Sequence, residues 1–249
     1  MLKVLRGSKR YVRYSRDEYF DKEITPYVRQ GITQPKRLSP KYISGKRVII
    51  GRLMDPYGDY ELTYKHTLAI LTCLASIDCD VCIMTISKNV FRDVGLLKCF
   101  KTTPTICVPI RSERDNVIYD CDNRPTVEDR VELLKQAKEE GFKTICRVGP
   151  LFPMLSNPIK IISKVKDYAD EIWVENMVGS VESKSFRRLL CRIYYKYPGT
   201  ANVYRNIYYE RDDTYWEEMW KSVCKYCDKH GIKNKVRNRI QLRYPEYFR

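Results

Sequence analysis

The sequence predicts an α/β fold, a partial barrel of parallel strands with helices outside and basic segments at both ends. Three observations predict it. Short, almost continuously apolar runs alternate about five times with stretches of helical periodicity. The apolar runs lack the in–out alternation of a one-sided sheet, as expected of strands covered on both faces. Lysine and arginine collect at the two ends. Residues 1–47 hold 13 Lys/Arg against 4 Asp/Glu, and residues 233–249 hold 6 against 1, around a nearly neutral middle. A chain of 249 residues is long enough to bury a sizeable core. It divides into a basic N-terminal segment (1–45), a βα partial barrel (46–210), and a C-terminal helix with a basic tail (211–249).

The elements follow in order. Residues 46–54, KRVIIGRLM, form a β-branched strand that Asp55-Pro56 stops. Residues 61–77 read as one helix, with Leu62, His66, Ile70 and Leu74 at helical spacing. CDVCIMTI (79–86) is a buried strand, 90–100 a short helix, and PTICVPI (104–110) a third strand. Residues 126–141 form the best-marked helix. Thr126 is its N-cap, Asp129 stands where a capping box wants an acid, and Gly141 is the stop. FKTICRV (142–148) is a strand that Gly149-Pro150 is expected to end. A helix over 158–169 has Pro158 in its first turn, EIWVEN (171–176) is the fifth strand, and helices follow over 182–197 and 214–231.

Composition narrows the classes. With 43% hydrophobic and 31% charged residues the chain reads as globular. It has no apolar run of 18 residues, and its N-terminus lacks the apolar core of a secretory signal, so we expect a cytoplasmic protein without membrane contact. Ten cysteines in such a chain, several inside apolar strands (Cys82, Cys107, Cys146), read as reduced core residues. Only His66 and His230 are present, which argues against histidine-based chemistry. Cys224, Cys227 and His230 have zinc-like spacing, but i, i+3, i+6 is also one face of a helix. The basic ends point to nucleic acid. Lys9, Arg10, Arg13 and Arg16 are the candidate phosphate contacts, because Tyr11 and Tyr14 lie among them and can stack on bases.

Parallel α/β folds bind ligands at the carboxyl ends of their strands. Polar groups recur there: Asp55 and Tyr57, Thr85 to Lys88, Arg111 to Glu113, Arg147 with the turn 149–153, and Glu175-Asn176.

These turns resemble the spore photoproduct lyase-like group of radical SAM proteins, also called DNA repair photolyases. The frame runs Asp55-Pro56-Tyr57, Glu61, Thr67; then Ile83 to Thr85, Ser87, Arg92-Asp93, Leu96-Leu97; then Pro125, Glu128-Asp129-Arg130; then Arg147-Val148, Pro150, Pro153. The resemblance covers roughly residues 46–176. It implies a TIM-like βα barrel of the radical SAM type. It further implies S-adenosylmethionine at the strand ends, with Asp55, Tyr57, Thr85, Ser87, Lys88, Arg147 and Glu175 as the cofactor-binding candidates.

The departures are as informative. The family holds a [4Fe-4S] cluster on a C-x3-C-x2-C loop after its first strand, and this chain has no such triplet and no cysteine before Cys73. Cys73, Cys79 and Cys82 cannot replace it, because the last two fall on a strand. A [4Fe-4S] cluster is therefore not expected in this chain alone. The family's strand-end lysine is Ile86 here, and Lys88 is expected to take its place on the same strand face. Arg52 stands near the hydrogen-donating cysteine of the spore enzyme. Two readings remain. One is an enzyme whose cluster loop comes from a partner chain. The other is a non-catalytic barrel that binds nucleic acid.

Overall fold

The computed structural model describes residues 2–5, 43–51, 54–113 and 125–241. Lys9, Arg10, Arg13, Arg16 and Arg52 lie outside the described residues, as do most of the N-terminal basic end and residues 242–249 of the C-terminal one. Seven strands follow one another in the order β1 (Leu2–Leu5), β2 (Arg47–Ile50), β3 (Asp80–Met84), β4 (Thr105–Ile110), β5 (Lys143–Leu151), β6 (Glu171–Asn176) and β7 (Val236–Asn238). Strands β2, β3 and β4 pair in parallel, as do β6 and β7, while β1 runs antiparallel to β2. The architecture is thus α/β with a six-strand parallel sheet. The sequence had left β1 and β7 inside the basic ends. No helix among the described residues is long and apolar enough to cross a membrane.

By backbone contacts the chain forms two compact units, one of residues 1–108 and 132–145, the other of 109–131 and 146–249. In the first, Val48, Val81, Ile83 and Ile106 of the strands are fully covered, together with Leu71 and Leu74 from the helix that follows β2. In the second, Val148, Ile172 and Val174 are covered with Ile161 and Leu190 from flanking helices. Cys82, Cys107 and Cys146 are buried in their strands, and burial pushes the Cys146 thiol well up.

The run 61–77 is two helices, α1 (Asp59–Tyr64) and α2 (His66–Ala75), parted by Lys65 at φ 52°. The break has a local cause. The Glu61 carboxylate accepts the amides of Thr67 (2.8 Å) and Leu68 (3.1 Å), so it caps the start of α2 from within α1. The two satisfied helix-end donors offset the cost, about 1 kcal/mol, of a non-glycine residue in the left-handed region. Residues 90–100 begin as a 3-10 turn (Lys88–Asp93) and continue as α3 (Val94–Lys98).

Helix α4 (Val127–Glu139) carries the expected capping box. The Asp129 amide donates to Thr126 Oγ1 and the Thr126 amide to Asp129 Oδ2, both at 3.0 Å. Gly141 closes the helix at φ 83°. Helix α5 (Pro158–Val165) starts on Asn157, whose side chain accepts the Lys160 amide. Helices α6 (Lys184–Lys196) and α8 (Thr214–Lys229) match expectation, whereas α7 (Ala201–Tyr208) was not read from the sequence.

Strand β5 does not end at Val148. It runs on to Leu151, whose carbonyl accepts the Met177 amide at 3.0 Å. Gly149 makes this possible. It sits at φ 142°, and a Cβ there would stand 2.4 Å from the Glu175 carbonyl oxygen. Only a residue without a side chain lets the two backbones close. Gly149→Ala is expected to cost about 2–4 kcal/mol in urea unfolding, from strain plus overlap with backbone. Gly141→Ala, with positive φ but nothing within 4 Å of its Cβ, is expected to cost about 1 kcal/mol.

Candidate functional site

Strand β2 opens the site in the first unit. It leaves the sheet at Gly51 (φ 91°), where a Cβ would overlap the Met84 carbonyl at 2.1 Å. The chain then turns through Asp55-Pro56-Tyr57. The Asp55 carboxylate is occupied by three donors: its Oδ1 accepts Thr85 Oγ1 (2.6 Å) and the Tyr57 amide (2.9 Å), and its Oδ2 accepts the Ile86 amide (2.7 Å). Thr85, 1% exposed, accepts the Ser87 amide in turn at 3.0 Å. The Asp55 carbonyl takes the Tyr60 hydroxyl at 2.6 Å. One carboxylate therefore ties the end of β2 to the end of β3.

A second cluster lies behind this turn. Arg92 donates to both oxygens of Asp93 at 2.8 Å, to Glu61 Oε1 at 3.0 Å and to the Glu61 carbonyl at 3.1 Å. The Glu61 side chain is fully buried and that of Asp93 is 3% exposed. The hydrogen bonds to Asp93 and Glu61 hold the guanidinium charged beyond its usual range. Tyr57, also fully buried, donates its hydroxyl to Asp93 Oδ2 at 3.0 Å. Burial, reinforced by the Asp93 charge, pushes that phenol well up and keeps it neutral. Thr67 Oγ1 donates to the Pro56 carbonyl, and Asn89 Nδ2 to the Tyr57 carbonyl. Residues from two of the four segments of the resemblance, 55–67 and 83–97, thus close on one another.

The second unit has its own polar group. Arg147 pairs with Glu175 through Nε (2.6 Å) and Nη2 (2.5 Å), both side chains about one-fifth exposed. Asn176, buried, exchanges two hydrogen bonds with the Gln241 backbone. Arg239 lies over the Trp173 ring at 4.8 Å. Glu113 accepts the Asn157 amide at 2.8 Å.

The nominated residues therefore form two sets, Asp55, Tyr57, Thr85, Ser87 and Lys88 in one unit and Arg147 with Glu175 in the other. Ser87 accepts the Asn89 amide and opens the 3-10 turn. Lys88 does not take the strand position of the missing lysine, because β3 ends at Met84 and Lys88 begins that turn, exposed. Cys73, Cys79 and Cys82 are all buried. Burial, with help from Asp78 and Asp80, pushes the Cys79 thiol up to about 11. Cys73 lies on α2, Cys82 on β3 and Cys79 just before that strand rather than on it, and buried thiols so placed are a poor donor set for an iron–sulfur cluster, which needs thiolates. Cys227 is likewise buried, its thiol at about 11, and His230 stacks on Tyr226 at 4.2 Å. Among the described residues no group of three or more His, Cys, Asp or Glu is placed to hold a metal ion.

Sequence reasoning saw Arg92 and Asp93 only as part of a frame. Their adjacency inside an otherwise apolar helical stretch was the available sign of a buried ion pair. In the aromatic run 207–216, Tyr208 donates to the Met177 carbonyl from the interior and Trp216 is 2% exposed, so both belong to the core.

No known family profile matches the chain. An uncharacterized protein of Methanocaldococcus jannaschii is 29% identical over 157 residues, which is 61% of this chain and 59% of that protein. The chain thus spans well under two thirds of that relative. The crystal structure of Streptococcus suis SuiB bound to S-adenosylmethionine superposes with a TM-score of 0.42 at 15% identity, over 76% of this chain and 36% of its own. At that level neither its fold nor its ligand carries over.

Thr85→Val keeps the shape of the side chain and removes its hydroxyl, so the Ser87 amide and Asp55 Oδ1 each lose a partner. The expected loss is about 1–3 kcal/mol in urea unfolding. Thr72→Val, at an exposed hydroxyl bonded only within its own helix, is expected to stay within about 0.5 kcal/mol.

Proposed function

We propose that this chain is a radical SAM-like protein of the spore photoproduct lyase-like kind that keeps the scaffold of that group, carries no cluster of its own and binds nucleic acid. One observation carries the reading. Asp55, Tyr57, Glu61, Thr67, Thr85, Arg92 and Asp93, which carry the first two of the four segments of the resemblance, build one interlocked network in the first unit. Residues that matched a motif by accident would have no reason to meet.

The cluster does not fit this chain. Its cysteines lack the triplet spacing, and those near the relevant strands are buried, two of them with thiols held protonated. S-adenosylmethionine fits more narrowly. The Asp55 carboxylate is committed to three donors, so an adenosyl group bound at this turn would meet hydroxyl and backbone groups more than acids. Asp55, Tyr57 and Thr85 would shape the turn, with Ser87 and Lys88 beside it in sequence. Arg147 and Glu175 form a separate candidate pair. The basic N-terminal segment, with Lys9, Arg10, Arg13 and Arg16, is proposed to contact the phosphate backbone.

A second reading keeps the enzyme. The strand-end network is intact although the cluster ligands are missing, as it would be if a partner chain supplied the cluster loop.

The test uses the full chain, purified and reconstituted anaerobically with iron and sulfide, then titrated with labelled oligonucleotides at two salt concentrations. We expect far less than one cluster per chain, and single-stranded binding whose salt slope falls by about 3 when Lys9, Arg10, Arg13 and Arg16 are changed to Gln. About four irons per chain, lost on Cys79→Ala, would restore a complete enzyme. A dissociation constant weaker than about 10⁻⁴ M at physiological salt would remove nucleic acid from the reading.

A further inference from the structure

Helix α6 turns an unmixed basic and aromatic face outward. Between Glu182 and Glu210 the chain has 27 residues without an acid, among them six Lys/Arg and six Tyr. The inner face of the helix is fixed by Phe186, Leu190 and Ile193, all buried. The Phe186 ring meets Tyr208 edge-on at 5.0 Å. It also lies over Gly179, where a Cβ would stand 2.0 Å from the ring. Tyr194 meets Tyr204 edge-on at 6.3 Å.

With these positions inside, the 3.6-residue period sets the outside. Lys184, Arg188, Arg192 and Lys196 are exposed one turn apart, and Arg187 is exposed beside them. Tyr195 is 92% exposed. Helix α8 shows the usual alternative. Its exposed Lys221, Lys225 and Lys229 share the surface with exposed Glu217, Glu218 and Asp228.

We propose that the outer face of α6 is a nucleic-acid docking surface, on which Arg188, Arg192 and Lys196 take backbone phosphates and Tyr195 stacks on a base. The inference rests on the nucleic-acid reading above and adds a folded element to the contacts proposed for the basic N-terminal segment. Lys184 and Lys196 are about 18 Å apart along the helix axis, room for roughly five phosphates of one strand. An anionic membrane is the poorer fit. A helix lying in a bilayer surface inserts leucine, phenylalanine or tryptophan, and here the large apolar residues of α6 point inward and are already used.

The test titrates the full chain with labelled single-stranded and duplex 20-mers at two salt concentrations, and with phosphatidylserine vesicles. The variants are the triple Arg188→Gln, Arg192→Gln, Lys196→Gln; Tyr195→Ala; and, as a control, the triple Lys221→Gln, Lys225→Gln, Lys229→Gln. Each is checked by circular dichroism and thermal unfolding. The proposal expects the α6 triple to flatten the single-strand salt slope by about 2 and to weaken binding at least about tenfold at low salt. It expects Tyr195→Ala to weaken single-strand binding about fivefold or more with the slope unchanged, and the control to bind like the parent. An α6 triple that binds like the parent, while the parent binds well, overturns this surface and leaves the nucleic-acid reading standing. An equal loss in the control also overturns it. A parent that binds no oligonucleotide removes both, and binding to vesicles alone reassigns the face to membrane.

Discussion

Arg92 stands between two buried carboxylates, and the first unit is organised around that arrangement. Removing Glu61 and Asp93 from water costs several kcal/mol each unless a cation and hydrogen-bond donors replace it. Arg92 supplies donors to both, the Thr67 and Leu68 amides complete Glu61, and the Tyr57 hydroxyl completes Asp93. The consequences spread outward. Glu61 is held where it caps α2, so α1 and α2 part at Lys65 instead of forming one helix. Tyr57 is held in the interior, so the turn at Asp55 has one path, and that path presents the Asp55 carboxylate to Thr85 and Ile86.

This arrangement bears on function through what it leaves uncommitted. Residues whose chemistry would suit ligands to a cofactor bind one another here. Asp55, Glu61 and Asp93 have their oxygens occupied, and Tyr57 is kept neutral and covered. A strand end of this kind is a platform, shaped by buried charges, on which a ligand would meet backbone and hydroxyl groups. The basic charge lies elsewhere, on the exposed face of α6 and in the two basic ends of the sequence. The proposed nucleic-acid contact draws on that separation.

Much of the fold was legible because its causes are local. Thr126 with Asp129, Gly141 and Pro158 mark helix ends by short-range hydrogen bonds or backbone preference, and all three stand where the sequence places them. The parallel strands were legible from burial on both faces. What was not legible depends on contacts distant in sequence. Gly149 extends β5 because Glu175 lies against it, and β7 (a short Val-Arg-Asn run among lysines) becomes a strand only by pairing with β6. At the site, the sequence put Asp55 and Tyr57 after one strand and Thr85 after the next, yet it could not show that their polar groups point at each other. Helix α6 was passed over because charge was counted by segment, whereas its asymmetry lies between faces.

The central claim is that Glu61, Arg92 and Asp93 form one energetic unit, and a double-mutant cycle measures it directly. Arg92→Met, Glu61→Gln and the double variant are unfolded in urea beside the parent chain. The account predicts that Arg92→Met alone costs about 3–5 kcal/mol, because it strands two buried carboxylates. It predicts that the double variant is more stable than the sum of the singles implies by at least about 1.5 kcal/mol. Additive losses, with each single change costing under about 1 kcal/mol, would contradict it.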